Sequence, residues 1–188
     1  MSQLSPNAFK SVIDIDVLGS YNVAKAAMPH LITSAQKSKQ DPSRGVGGRV
    51  IFISATMHYT GWPLQTHVAA AKAAVDALSA NMAIEYGPLG VTSNVIAPGP
   101  IEGTEGMKRL STLTSSSKSS ARTVPLQRMG TVKNIADATV YLFADTGDYV
   151  NGDVLVVDGG AWRTMGTGIE NGAKYPESVM ATKPLSKL

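Results

Sequence analysis

Apolar residues recur at helical spacing from the start of the chain: Phe9, Val12, Ile13, Val17, Tyr21, Val23 and Ala24 fall on or near one stripe. Ser5 supplies an N-cap and Pro6 a first helical position, so the pattern predicts a long helix from Pro6. Pro29 is expected to kink or end it, because proline lacks an N–H and its ring crowds the preceding turn. QKSKQDPSRGVGG, residues 36–48, mixes Lys, Ser, Pro and Gly and reads as an exposed loop. The period then changes. RVIFIS, residues 49–54, is β-branched and apolar on both faces, as in a buried parallel strand. From Thr66, a candidate cap, HVAAAKAAVDALSANMAIEYG returns to a helix whose alanines allow close approach of a neighbour. Lys72 and Asp76 lie four apart on one face of it.

VTSNVIA, residues 91–97, is a second strand and leads into PGPIEGT. The serine-rich STLTSSSKSS reads as a mobile segment. TVKNIADATVYLFAD reads as an amphipathic helix capped by Thr131, and DVLVV as a last strand before DGG. There is no internal repeat. Alternating strands and helices predict an α/β fold with a parallel sheet, whose ligands bind beyond the carboxyl ends of the strands. Ser54, Ala55, the run Pro98, Gly99, Pro100, Ile101, Glu102, Gly103, Thr104, and Asp158 all fall along that rim. Taken singly, PGP and DGG are also ordinary turns.

Composition narrows the chemistry. With 43% hydrophobic and 16% charged residues in 188, the chain suits one globular domain. No apolar run reaches the roughly 18 residues of a membrane span, and MSQLSPNAFK lacks the charged-then-apolar plan of a signal peptide, so neither secretion nor a membrane span is expected. The chain has no cysteine, and His30, His58 and His67 lack metal-ligand spacing, so no metal site is expected. The net charge of +3 is scattered rather than striped with aromatics. That argues against nucleic acid and is compatible with an anionic small substrate.

The ordered set DIDVLGSYNV, RVIFIS, AAAKAAVDAL, NVIAPGPI, PLQRMG and YVNGDVLVVDGGAW resembles the later part of a short-chain dehydrogenase/reductase, over residues 5–163. That family usually carries an Asn on the first of these helices, a Ser after the next strand and a Tyr-x-x-x-Lys on the following helix; here the positions read Asp16, Ala55, Val68 and Lys72. The absent tyrosine would ordinarily protonate a carbonyl oxygen. One branch departs in the same way, the peroxisomal 2,4-dienoyl-CoA reductases, which the chain resembles in DID, QTHVAAAKAAVDAL and APGPIEGTEGMKRL. His67, just ahead of the empty tyrosine position, is expected to be structural.

The resemblance implies NADPH-dependent reduction of a 2,4-dienoyl-CoA, with Asp16, Lys72 and Asp158 catalytic. Lys72 and the loop Pro98–Thr104 would hold the cofactor, and Arg109 would pair with the CoA. Two other readings of the carboxylates stand beside this one: Asp16 as a water-facing helix residue, and Asp158 as a cap on the turn after the last strand. Ser186, Lys187 and Leu188 form the S-K-L address read by the peroxisomal import receptor, so residues 164–188 are expected to be a tail carrying it. The alanine-rich helix implies a homo-oligomer through the family's four-helix interface.

Neither the Gly-rich turn T-G-x-x-x-G-x-G nor N-A-G occurs in the 188 residues. The expected fold is therefore an incomplete Rossmann-like doubly wound parallel sheet, with three strands, their helices, and residues 49–54 at an uncovered edge. Two alternatives to the reductase follow: a catalytically inactive family member acting only as an assembly partner, and another peroxisomal acyl-CoA reductase of the same family.

Overall fold

A computed structural model describes residues 4–41, 47–62, 65–111 and 121–164, with the side chains of residues 109–111 excepted. The expected mobile segment at 111–120, all but its first residue, and the tail, all but its first residue, lie outside the described residues.

The first helical pattern forms three consecutive pieces: α1 (Pro6–Val12), a π-helical stretch (Ile13–Leu18) and α2 (Gly19–Gln40). Ser5 caps the start as expected, its side chain accepting from the Ala8 N–H at 3.1 Å. Downstream the helix runs further than expected. Pro29 lies inside α2, which continues to Gln40, and QKSKQ is helix rather than loop. The extension is held by packing: Ala35 is buried at 2% exposure, and Gly47 approaches it so closely that an added Cβ would lie 2.5 Å from the Ala35 Cα. Lys37 and Lys39 in the last turn also suit the negative end of the helix dipole.

β1 (Gly48–Ile53), β2 (Val91–Pro98) and β3 (Val154–Val157) make a parallel sheet in the order β1-β2-β3. Phe52 stands opposite Val95, and Ala97 opposite Val156. β2 is central, which explains why it is buried along nearly its whole length. β1 is an edge, and Ile53 is 47% exposed there. Two buried polar residues of β2 are satisfied. The Ser93 hydroxyl meets Ser79 at 2.9 Å, and Asn94 bonds the Val150 carbonyl and the Asp153 N–H.

The crossovers are α4 (Thr66–Tyr86), between β1 and β2, and α6 (Val132–Phe143), between β2 and β3. Short helices α3 (Met57–Thr60) and α5 (Glu105–Ser111) follow β1 and β2. Ala24, Met28 and Ala35 of α2, Phe52 of β1, Val75 and Met82 of α4, and Val91 and Val95 of β2 form one apolar core. Because side chains alternate along a strand, Arg49 points to the opposite face from Val50 and Phe52. There its guanidinium donates to the Leu142 carbonyl at the end of α6 at 2.8 Å. Helices therefore cover both faces, in a doubly wound arrangement that is open at the β1 edge.

Thr131 caps α6 in a reciprocal capping box with Asn134. Thr66 does not cap α4: Gln65 occupies the cap position, and no side chain there bonds to the first turn.

Candidate functional site

Asp16 sits in the π-helical stretch, where the backbone bonds i to i+5 and the helical phase is shifted by one residue. Such stretches are frequent at functional sites. The shifted segment packs against α4, and the Lys72 ammonium donates to Asp16 Oδ1 at 3.1 Å. It also donates to the Ile53 carbonyl at the exposed end of β1, at 2.9 Å. Both side chains are half-buried, and Asp16 Oδ2 has no partner among the described residues. The structure thus joins two of the sequence-derived candidates, which lie 56 residues apart in the chain. Asp16 is not simply a water-facing helix residue.

Val68 lies one turn before Lys72 on the same face of α4, so no hydroxyl occupies the place from which a carbonyl oxygen would be protonated. Ser54, at the end of β1, is buried at 3% exposure, and its hydroxyl has no hydrogen-bond partner among the described residues. His67 Nδ1 is likewise buried and unpartnered there.

Asp158 follows β3 directly and is buried at 9% exposure. Its Oδ1 accepts from the Gly160 N–H and its Oδ2 from the Trp162 N–H, both at 2.8 Å. This is the turn-capping arrangement, and it depends on Gly159 and Gly160 at φ values of 67° and 87°, where a Cβ is disfavoured. Gly99 lies against the same residue: an added Cβ would stand 2.8 Å from the Asp158 Cα. The β2 and β3 loops are therefore in direct contact at the rim.

Only part of Pro98–Thr104 can offer N–H groups to a ligand. The prolines have none. The Gly99 N–H donates to the Val157 carbonyl at 3.0 Å and the Glu102 N–H to the Gly130 carbonyl at 2.9 Å. The N–H groups of Ile101, Gly103 and Thr104 have no partner among the described residues, while the Thr104 hydroxyl donates to the Ile101 carbonyl at 2.9 Å. Arg109 is in α5, directly after this loop, and its side chain lies outside the described residues.

Asp76 does not pair with Lys72. Its Oδ2 receives His58 Nε2 at 2.7 Å and the Tyr59 hydroxyl at 2.6 Å, both from α3. Burial, and after it the bond to Asp76 and its charge, hold the Tyr59 phenol well above the usual range. The sequence reading missed this cluster; the only signal was a His-Tyr pair shortly after RVIFIS. Among the described residues no group of His, Asp or Glu could hold a metal, and no helix is long and apolar enough to cross a membrane.

A family model described as enoyl-(acyl carrier protein) reductase matches residues 1–161. The peroxisomal 2,4-dienoyl-CoA reductase SPS19 [(3E)-enoyl-CoA-producing] of Saccharomyces cerevisiae is 51% identical over 179 residues, 95% of this chain and 56% of that protein. A short chain dehydrogenase from Bacillus anthracis is 33% identical with a TM-score of 0.71, over 93% of this chain and 60% of that one. A gluconate 5-dehydrogenase from Burkholderia cenocepacia, solved with NADP and tartrate, is 29% identical with a TM-score of 0.73, over 85% of this chain and 58% of that one. The chain spans about half the length of the curated relatives it matches. Fold, motif order and the match to the family model agree: the chain belongs to the short-chain dehydrogenase/reductase family.

Proposed function

We propose that the chain contributes the proton-transfer and substrate side of an NADPH-dependent 2,4-dienoyl-CoA reductase, which makes 3-enoyl-CoA in the peroxisomal β-oxidation of unsaturated fatty acids. The observation that carries the reading is the Asp16–Lys72 pair beside Val68, a proton-handling site without a carbonyl acid.

The residues present fit the nicotinamide end of a dinucleotide. Lys72 retains an ammonium proton beyond its two bonds, and the N–H groups of Ile101, Gly103 and Thr104 have no partner among the described residues. A Cβ added at Gly103 would have nothing within 4 Å among the described residues. Bound NADPH would supply a hydride to the far end of the conjugated diene. Lys72 would hold the ribose and set positive potential where the thioester enolate charge develops. Asp16, through its Oδ2, would position a water that protonates the α-carbon, and the hydroxide left would regain a proton from bulk solvent. Asp158 would keep the β3 loop in place through its bonds to the Gly160 and Trp162 N–H groups, and the second lone pair of each oxygen would let it accept from a water at the rim. Arg109 would pair with a CoA phosphate.

The test joins this chain to the amino-terminal portion of the Saccharomyces cerevisiae relative and follows NADPH oxidation with a 2,4-dienoyl-CoA. Formation of 3-enoyl-CoA supports the reading; reduction of ketones with no turnover of dienoyl-CoA refutes it.

Peroxisomal targeting is a separate expectation that rests on Ser186, Lys187 and Leu188. A fluorescent protein placed ahead of the chain should enter peroxisomes, and deleting Leu188 should leave it in the cytosol. Import unchanged by the deletion would refute a receptor-read terminus.

Self-association is proposed through the outer face of the helical layer. Ile13, Val17, Leu18 and Tyr21 line an open, mostly apolar groove of about 510 Å³ with Ala74, Ala77 and Leu78 of α4. Ile15 is 74% exposed and Ile84 77%. A second copy would cover these residues by two-fold symmetry. The joined protein should scatter light as a dimer or larger species, and Leu18→Glu should shift it toward the monomer.

A further inference from the structure

The Asp76 cluster lies outside the proposed proton-transfer pair, and it connects three parts of the rim. α3 follows directly on the strand whose last carbonyl accepts from Lys72. It packs against both α4 and the short helical turn Ala161–Thr164. His58 and Asp76 side chains are 7% and 15% exposed. Since an ionised carboxylate only accepts, Nε2 of His58 is the donor, and Asp76 Oδ2 holds both α3 side chains. The His58 and Tyr59 rings meet edge to face at 3.8 Å, and Tyr59 contacts Trp162 at 5.7 Å between centroids. Trp162 is in turn fixed through its backbone N–H by Asp158, while the Arg163 guanidinium stands 4.0 Å from its ring. An unbroken path therefore runs from Asp158 through Trp162, Tyr59 and Asp76 into α4, where Asp76 is one turn from Lys72.

We infer that Asp76 is a positioning residue, which fastens the segment Thr56–Thr60 and the Trp162 turn to the Lys72 helix and so shapes one wall of the acyl-thioester site. The inference rests on the dienoyl-CoA reading for its substrate. Its physical basis does not: one carboxylate oxygen ties a four-residue helix with little core of its own to the most buried helix of the fold. α3 has no buried residue and no side-chain N-cap; besides Asp76, it is held among the described residues by the Thr56 N–H, which donates to the Pro98 carbonyl at 3.1 Å, and by the Tyr59–Trp162 contact. The Asp76 carboxylate makes no side-chain bond to Lys72 or Asp16 among the described residues, and its effect should therefore fall on substrate binding rather than on proton transfer.

The experiment uses the joined protein described above with Asp76→Ala, Asp76→Asn and Tyr59→Phe. Asp76→Ala should raise KM for the dienoyl-CoA about tenfold, as expected for losing hydrogen bonds to a charged group, and change kcat much less. Tyr59→Phe should raise KM by a smaller factor. Asp76→Asn keeps an acceptor oxygen and should restore KM to near the parent value. Hydrogen exchange of the same samples should quicken within residues 56–60 and 161–164 and stay unchanged in α4 and β2. An unaltered KM in both Asp76→Ala and Tyr59→Phe, or exchange quickened throughout the domain, overturns the inference. If Asp76→Ala does not fold, Tyr59→Phe, which removes one bond and no charge, decides by the same two measurements. If the parent does not reduce dienoyl-CoA, the proposed function fails while the exchange pattern still decides whether Asp76 fastens the wall.

Discussion

Replacing Asp16 by Ala in the joined protein is expected to lower kcat for dienoyl-CoA reduction by about 10²- to 10⁴-fold, the usual consequence of losing a positioned proton-transfer group. KM should change little, because Asp16 faces Lys72 rather than the rim loops. Lys72→Ala is expected to cost as much in kcat and, on the proposed reading, also to weaken NADPH binding, since the ammonium is bonded to Asp16 and has one proton beyond its two bonds for the ribose. The double variant should be little worse than the worse single one, because residues that act as a unit are not additive. Stopped-flow turnover and NADPH titration separate the two effects. Near-normal kcat in Asp16→Ala would remove that carboxylate from the reaction. The substitution should be clean, because the Asp16 side chain is half-buried and makes one side-chain hydrogen bond among the described residues.

Gly99→Ala should be the most disruptive single-methyl change at the rim. The new Cβ would stand 2.8 Å from the Asp158 Cα and closer still to its Cβ. Neither strand end can yield easily, because the Gly99 N–H is bonded to the Val157 carbonyl and Asp158 is held by two N–H groups. Overpacking of this kind costs about 1–3 kcal/mol. In a domain of this size each kcal/mol lowers Tm by roughly 2–4 °C. On the proposed reading the displaced loop should also weaken NADPH affinity about tenfold or more, since it carries the N–H groups of Ile101, Gly103 and Thr104 that have no partner among the described residues. Gly106→Ala is the matched control: it lies in α5 with nothing within 4 Å of its added Cβ, and should leave Tm unchanged or slightly raised. Equal behaviour of the two variants in thermal melts would refute the close contact.

The elements themselves were legible because their signals are local. The apolar runs at 49–54 and 91–97 and the run DVLVV became the three strands, and Ser5 and Thr131 cap their helices as their chemistry requires. Lys72 and the rim loops could be located for the same reason: a strand's carboxyl end and a helix face follow from period and length alone. Partner choice was not legible. Lys72 and Asp76 share a helix face, yet Lys72 turns to Asp16 and Ile53 while Asp76 turns to His58 and Tyr59. Spacing says which groups could meet; desolvation and the positions of groups tens of residues away decide which do. The residue pattern shows neither the phase shift at Ile13–Leu18 nor the run of helix past residue 36 to Gln40, because it does not record the packing that Ala35 and Gly47 make. The same holds for the loop Pro98–Thr104, whose glycines and prolines announce a turn, while only the neighbouring strand and the Gly130 bridge determine which N–H groups remain for a ligand. Local sequence determined where the chain turns and which face it buries; the tertiary structure decided which polar groups satisfy one another and which are left to bind.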